Sequence, residues 1–302
     1  MNYIMTTSNL TKIYGSVHAA ESINIHIRRG GIYGLIGRNG AGKTTIMRML
    51  SGLSTPSSGS FSFEPQGKNG IGIGTLIEAP GLYPKLSAYD NLKIKCIGLG
   101  VAKEGRDAYI RDLLTLVGLQ DTGKKPTKSF SLGMRQRLGI ALALVGDPEM
   151  IILDEPINGL DPQGIAEVRH MLERLREEKD ITIMVSSHIL DELAKIADSY
   201  GIIHEGRLID EFTSADLMKR CGEFVTVKAE DLPSAERVLR EMGFEKISFD
   251  HNNDLRIEGE TDKTQEMIAA LAKADVGLKE LYVTHLSLED YYLNMTGGAE
   301  HA

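Results

Sequence analysis

The chain has 302 residues, 42% hydrophobic and 25% charged, with a formal net charge of -8. This length suits one large domain with a smaller one, and the composition is that of a soluble globular protein. The acidic balance argues against nucleic acid as a main partner, because phosphate backbones are held by clustered excess Lys and Arg. Apolar runs such as "IGIALALV" fall short of the ~20 residues that span a bilayer. The opening "MNYIMTTSNLTKIYG" lacks the basic start and apolar stretch of a signal peptide, so the chain is expected in the cytoplasm. Cys96 and Cys221 have no C-x-x-C spacing, which argues for two ordinary buried thiols rather than a disulfide framework or zinc site.

Residues 10–36 read as β structure: "LTKIY", a turn at Gly15 and Ser16, then Ile23, Ile25 and Ile27 alternating with polar residues. "IYGLI" reads as a buried central strand. After a glycine-rich loop, Ile46, Met47, Met49, Leu50 and Leu53 recur at helical spacing, with Gly52 near the helix end. From Asp90 to Leu119 the pattern is helical, with Ile110, Leu113, Leu114 and Val117 on one face. We read it as part of a helical insertion covering about residues 86–145. A helix from near Met134, strand "MIIL", a helix from about Pro162 to Glu178, strand "ITIMV" and a helix from Leu190 follow. This alternation predicts a mostly parallel sheet covered on both faces. "GIIHEGRLIDEF" predicts a hairpin turning at Glu205 and Gly206. Beyond about residue 215 the order becomes βαββαβ, the ferredoxin-like unit, closed by a short helix "SLEDYYLNM". The expected domains are therefore 1–215 and 216–302.

"GRNGAGKT", residues 37–44, fits G-x-x-x-x-G-K-[ST] between a strand and a helix, the context of a P-loop NTPase. Its glycines let backbone N–H groups converge on phosphates at a helix start. Gly37, Arg38, Asn39, Gly40, Ala41, Gly42, Lys43, Thr44 and Thr45 are the candidate nucleotide-binding residues, with Lys43 set against the β- and γ-phosphates and Thr44 against Mg2+. "MIILDEP" supplies Asp154 as a second magnesium residue and Glu155 as a candidate general base. A second phosphate-type helix start lies in "SFSLGMRQRLGIALAL", where Ser131 and Gly133 offer a hydroxyl and backbone donors. One triphosphate already surrounded by the first loop leaves this second site for the nucleotide of another subunit.

With these motifs the chain resembles the nucleotide-binding subunit of ABC transporters, whose LSGGQ signature docks across a head-to-tail dimer. Residues 130–134, "FSLGM", correspond to that signature, departing from it at Leu132 and Met134. The resemblance implies an ATPase using ATP and Mg2+, a homodimer or pseudo-dimer, and separate membrane permease subunits that place it on the inner face of the membrane. It also implies adenine stacking by Tyr14, a carboxylate at the dimer seam from Asp161 in "NGLDP", and a switch histidine at His188 in "VSSHILDE". His18 and His204 are left as surface or packing residues. Where the family carries a glutamine that touches magnesium, this chain has Glu78, which ligates magnesium but donates no hydrogen bond. Glu78 with "LYP" is similar to the branch that exports bacitracin and lantibiotic peptides. The groove formed by Glu78, "GLYPKL" and the helical insertion is expected to hold a permease helix. The rival class is a soluble ABC ATPase acting on ribosomes or DNA, whose second cassette, coiled coil or zinc-binding cysteines this chain lacks.

Overall fold

The computed structural model describes residues 2–65, 72–220, 223–250, 253–259, 261–285 and 288–296. The chain divides into two compact units, Met1–Ser214 and Ala215–Ala302.

The first unit opens with β1 (Tyr3–Tyr14), β2 (Val17–Ile23), β3 (His26–Arg28), β4 (Ile32–Ile36) and α1 (Lys43–Leu50). It continues with β5 (Ser58–Phe63), β6 (Ile73–Leu76), α2 (Ala88–Gly98), α3 (Arg106–Leu116) and α4 (Leu132–Leu144). β7 (Met150–Leu153), α5 (Pro162–Lys179), β8 (Thr182–Ser187), α6 (Leu190–Ala194), β9 (Ser199–His204) and β10 (Arg207–Thr213) complete it. β2, β3 and β5 all pair antiparallel with β1. The second sheet runs β10-β9-β4-β8-β7-β6, parallel from β9 to β6 with β10 antiparallel at its edge.

Every residue of β4, β7 and β8 is buried, as a parallel sheet covered on both faces requires. One core joins Ile4, Leu10, Ile25 and Ile27 of the first sheet to Ile46, Met47 and Met49 of α1 and to Leu35, Ile152 and Met184 of the second. On another side, a Cβ at Gly34 of β4 would meet Leu193 of α6 at 2.7 Å, so glycine lets this helix lie close to the sheet. Buried Tyr33 donates to Glu211 Oε1 at 2.9 Å, and burial pushes its pKa well above the ordinary phenol value.

The helical stripe of Ile110, Leu113, Leu114 and Val117 is buried, and so is Cys96, whose thiol pKa burial raises. Cys221 lies outside the described residues. Two strands go beyond the sequence reading. β5, "SGSFSF", is Gly/Ser-rich with only its aromatic residues partly buried, and β6 is four residues long. Gly74 within β6 is required because any Cβ there would run into the Ala143 carbonyl. Leu53 falls past the end of α1 and is exposed rather than part of its apolar stripe. α4 starts at Leu132, two residues before the expected point, with Ser131 as its N-cap.

α7 (Ser214–Arg220) opens at the boundary, and the second unit continues with β11 (Glu223–Ala229), α8 (Leu232–Glu241), β12 (Ile247–Phe249) and β13 (Leu255–Glu258). α9 (Thr264–Lys273), β14 (Leu278–His285) and α10 (Leu288–Met295) follow. Its strands pair antiparallel in the order β12-β13-β11-β14, which is the ferredoxin-like arrangement of two split βαβ units. Val225, Val227, Leu255 and Ile257 of the sheet pack with Ala235, Leu239, Met267 and Leu271 of α8 and α9. The unit therefore has its own hydrophobic core.

Candidate active site

The loop after β4 turns directly into α1. Gly40 and Gly42 have φ of 84° and 108°, in the region open chiefly to glycine. A Cβ at Gly42 would collide with the Ala19 carbonyl, and one at Gly37 would lie 2.5 Å from the Ile203 carbonyl. Gly42 caps α1 without a side-chain hydrogen bond, and the first turn carries no acidic residue. The helix start thus presents backbone donors and the positive end of its dipole to an anion. Beside it is a cleft of about 460 Å³, lined by Arg38, Asn39, Gly40, Gly42, Lys43, Thr44, Thr45 and Glu155, with Val17, His18, Ala19, Glu205 and Gly206.

Lys43 is buried in this cleft. Its Nζ donates to the carbonyls of Gly37 at 2.6 Å and Arg38 at 3.3 Å, and lies 3.2 Å from Glu155 Oε1. The other Glu155 oxygen, Oε2, is 2.8 Å from His188 Nδ1. The Thr44 hydroxyl donates to Asp154 Oδ2 at 2.8 Å. Ser186 then joins the two acids, its hydroxyl donating to Asp154 Oδ1 at 2.6 Å and accepting from the Glu155 amide at 2.9 Å. Glu155 sits at φ 49°, a left-handed conformation costing a non-glycine residue about 1–2 kcal/mol. Sequence reasoning passed over Ser186. Its only mark in the sequence is a Ser-Ser pair that ends the apolar run Ile183–Val185, two positions before His188.

Thr44 and Asp154 offer two hard oxygen donors side by side. A small divalent cation bound by so few protein groups takes its remaining positions from phosphate and water, the usual manner of Mg2+. Among the described residues no three of His, Cys, Asp and Glu gather as metal ligands, so any cation here depends on such outside oxygens.

The other candidate residues lie elsewhere. Tyr14 ends β1, half-exposed, outside the cleft lining. Lys12 Nζ lies 4.9 Å from its ring centroid. Ser131 is exposed and caps α4 by accepting from the Met134 amide at 3.2 Å. Gly133 faces Leu160, and Gly159 faces Leu132, so the start of α4 abuts the loop before α5. Neither Ser131 nor Gly133 lines the cleft of its own chain. Asp161 caps α5, accepting from the Gly164 amide at 2.9 Å. Glu78 follows β6 at φ 64°, and its exposed carboxylate pairs with Arg48. In the parallel register Leu76 lies opposite Leu153, and the Asp154 amide donates to the Leu76 carbonyl at 2.8 Å. Glu78 thus emerges beside the strand that delivers Asp154 and Glu155. A separate groove of about 530 Å³ runs along Ile77, Pro80, Gly81 and Tyr83 to Ile94 and Leu99 of the helical region, without Glu78 in its lining.

The family model described as "ABC transporter" matches residues 20–158. The bacitracin transport ATP-binding protein BcrA of Bacillus licheniformis is 40% identical over 99% of both chains. The lantibiotic transport ATP-binding protein SrtF of Streptococcus pyogenes is 47% identical over 69% of this chain and 90% of its own. Among solved structures, cbiO1 from Clostridium perfringens, part of the ABC transporter complex cbiONQ, is 28% identical with a TM-score of 0.64, over 72% of this chain and 92% of that one.

Proposed function

The chain belongs to the ATP-binding subunits of ABC transporters, an ATPase family, and on that premise we propose that two such cassettes close head to tail around two ATP molecules to drive export by separate permease subunits. The cargo is a peptide antibiotic of bacitracin or lantibiotic type, a reading supported by the transport functions in the names of the two relatives. Among the described residues no helix is long and apolar enough to cross a membrane. In this reading the subunit is held on the inner membrane face through its permease, and the groove between Tyr83 and Ile94 receives a permease segment.

The observation that carries this reading is the sharing of Glu155 between Lys43 and His188, beside the Thr44–Asp154 pair. The phosphates of ATP offer Lys43 a stronger partner than the two loop carbonyls, drawing the ammonium from Glu155. Glu155, still held at Oε2 by His188 and at its backbone by Ser186, is then free to accept a proton from the attacking water. Thr44 and Asp154 hold Mg2+, which neutralises phosphate charge when bound. Ser131, Gly133 and Asp161 meet the nucleotide of the opposite subunit, and Tyr14 meets its own adenine. Phosphate-driven closure follows differential affinity for the closed state.

The test is affinity purification of the tagged full chain from gently solubilised cells, with Glu155→Gln alongside to hold the ATP-bound state. We expect a polytopic membrane protein to co-purify; recovery of ribosomes or nucleic acid instead would reject the transport reading. A deletion strain should become more sensitive to bacitracin or a lantibiotic. Unchanged sensitivity to all of them removes the peptide assignment.

A further inference from the structure

The pairing of Glu78 with Arg48 assigns a role to a residue outside the nucleotide motifs. Arg48 lies one helical turn beyond Thr44 on α1, so both project from the same face toward the ends of β6 and β7. Thr44 meets Asp154 there, and Arg48 meets Glu78. The backbone of Arg48 is fixed as well, its carbonyl accepting from the Ser54 amide at 3.0 Å and the Ser51 hydroxyl at 3.1 Å. Three carboxylates, Glu78, Asp154 and Glu155, stand at the ends of two neighbouring strands. Glu155 lines the phosphate cleft and Glu78 stands outside its lining, so a triphosphate bound there meets Glu78 as a through-space repulsion unless that charge is offset. With a triphosphate bound, Glu155 keeps His188 at Oε2 and Asp154 keeps its two hydroxyl donors, whereas the charge of Glu78 is met by the Arg48 guanidinium.

We propose that Arg48 is a positioning residue for ATP hydrolysis: it neutralises Glu78 and fixes its left-handed loop, so that a glutamate at this position is compatible with a bound triphosphate. Resting on the proposed nucleotide site, the inference concerns charge rather than stability, since an ion pair this exposed adds little to folding. The dependence on Arg48 exists only while residue 78 is an acid.

The experiment is a double-mutant cycle of Arg48→Gln and Glu78→Gln in the full chain, measuring KM for Mg·ATP and kcat, with Arg48→Lys as the charge-conserving control. Arg48→Gln should raise KM about two- to fivefold, the range of a partly exposed ion pair. Arg48→Lys should restore most of that loss. In the Glu78→Gln background, Arg48→Gln should change KM by much less. The effect should shrink in 1 M salt, where screening acts within about 3 Å. An equal KM change in both backgrounds, or no change in either, overturns the inference. Lys43→Ala run in parallel separates the two levels: normal nucleotide binding by that variant would reject the site itself, whereas lost binding with an additive cycle rejects only the role of Arg48.

Discussion

Glu155 is set by three neighbours with different demands: Lys43 pulls on one oxygen, His188 holds the other, and Ser186 anchors the backbone. Replacing it with glutamine removes the base and keeps the shape. We expect Glu155→Gln to lower phosphate release at least about 100-fold while ATP binding persists and a dimer accumulates on a sizing column. A variant that stays monomeric with ATP would contradict the closed-dimer reading. Ser186→Ala tests the link between the two acids, because it strips a buried donor from Asp154 and an acceptor from the Glu155 amide. Unfolding in urea should show a loss of about 1.5–3 kcal/mol, the scale for a hydrogen bond to a charged group, together with a reduced kcat. Normal kcat with lowered stability would leave Ser186 a purely structural residue. Asp154, Glu155 and His188 were singled out by their motifs, whereas Ser186, one of two adjacent serines ending β8, acquires a role only from the atoms beside it.

At the scale of elements, two helix starts proposed to meet the opposite nucleotide are also caps. Ser131 caps α4 and Asp161 caps α5, so a loss of function at either site could come from fraying alone. Aspartate caps as well as serine does, which separates the two roles. Ser131→Asp should melt within a degree or two of the natural chain yet fail to dimerise on ATP, because its carboxylate would repel the neighbouring phosphate. Dimerisation by Ser131→Asp equal to the natural chain would reduce Ser131 to a cap. Ser131→Ala should cost about 1 kcal/mol of stability, read from denaturant midpoints. The stripe of α3 was legible because burial repeats at the period of a helix, and the central strands because they are short, unbroken apolar runs bounded by turn residues. β5 and β6 were not, since Ser/Gly alternation reads as a turn and Gly74 and Thr75 break the apolar run that makes the equally short β7 visible.

For the molecule as a whole, the two units have separate cores, and all residues lining the nucleotide cleft belong to the first. Residues 1–214 expressed alone should therefore fold and bind ATP with an affinity within about threefold of the full chain, measured by titration calorimetry; a difference of a few tenths of a kcal/mol is that small. The SrtF relative, matched over 90% of its length by 69% of this chain, leaves most of the remainder without a counterpart. Failure of the shorter chain to fold or bind would show that the cassette depends on the second unit.

By itself the sequence determined the phosphate loop, the order of strands and helices, and the family. Each of these is written in short-range spacing: eight residues hold the glycines, lysine and threonine that a helix-start anion site needs, and apolar periodicity marks what flanks it. The tertiary structure decided how distant groups meet. Thr44 reaches Asp154 across 110 positions, and His188 reaches Glu155 across 33. These contacts follow from the parallel register of β4, β8, β7 and β6, which brings the ends of non-consecutive strands to one edge of the sheet. The partnership of Arg48 with Glu78 belongs to the same class: neither residue names the other in the sequence, and only the packing of α1 against that edge makes them neighbours.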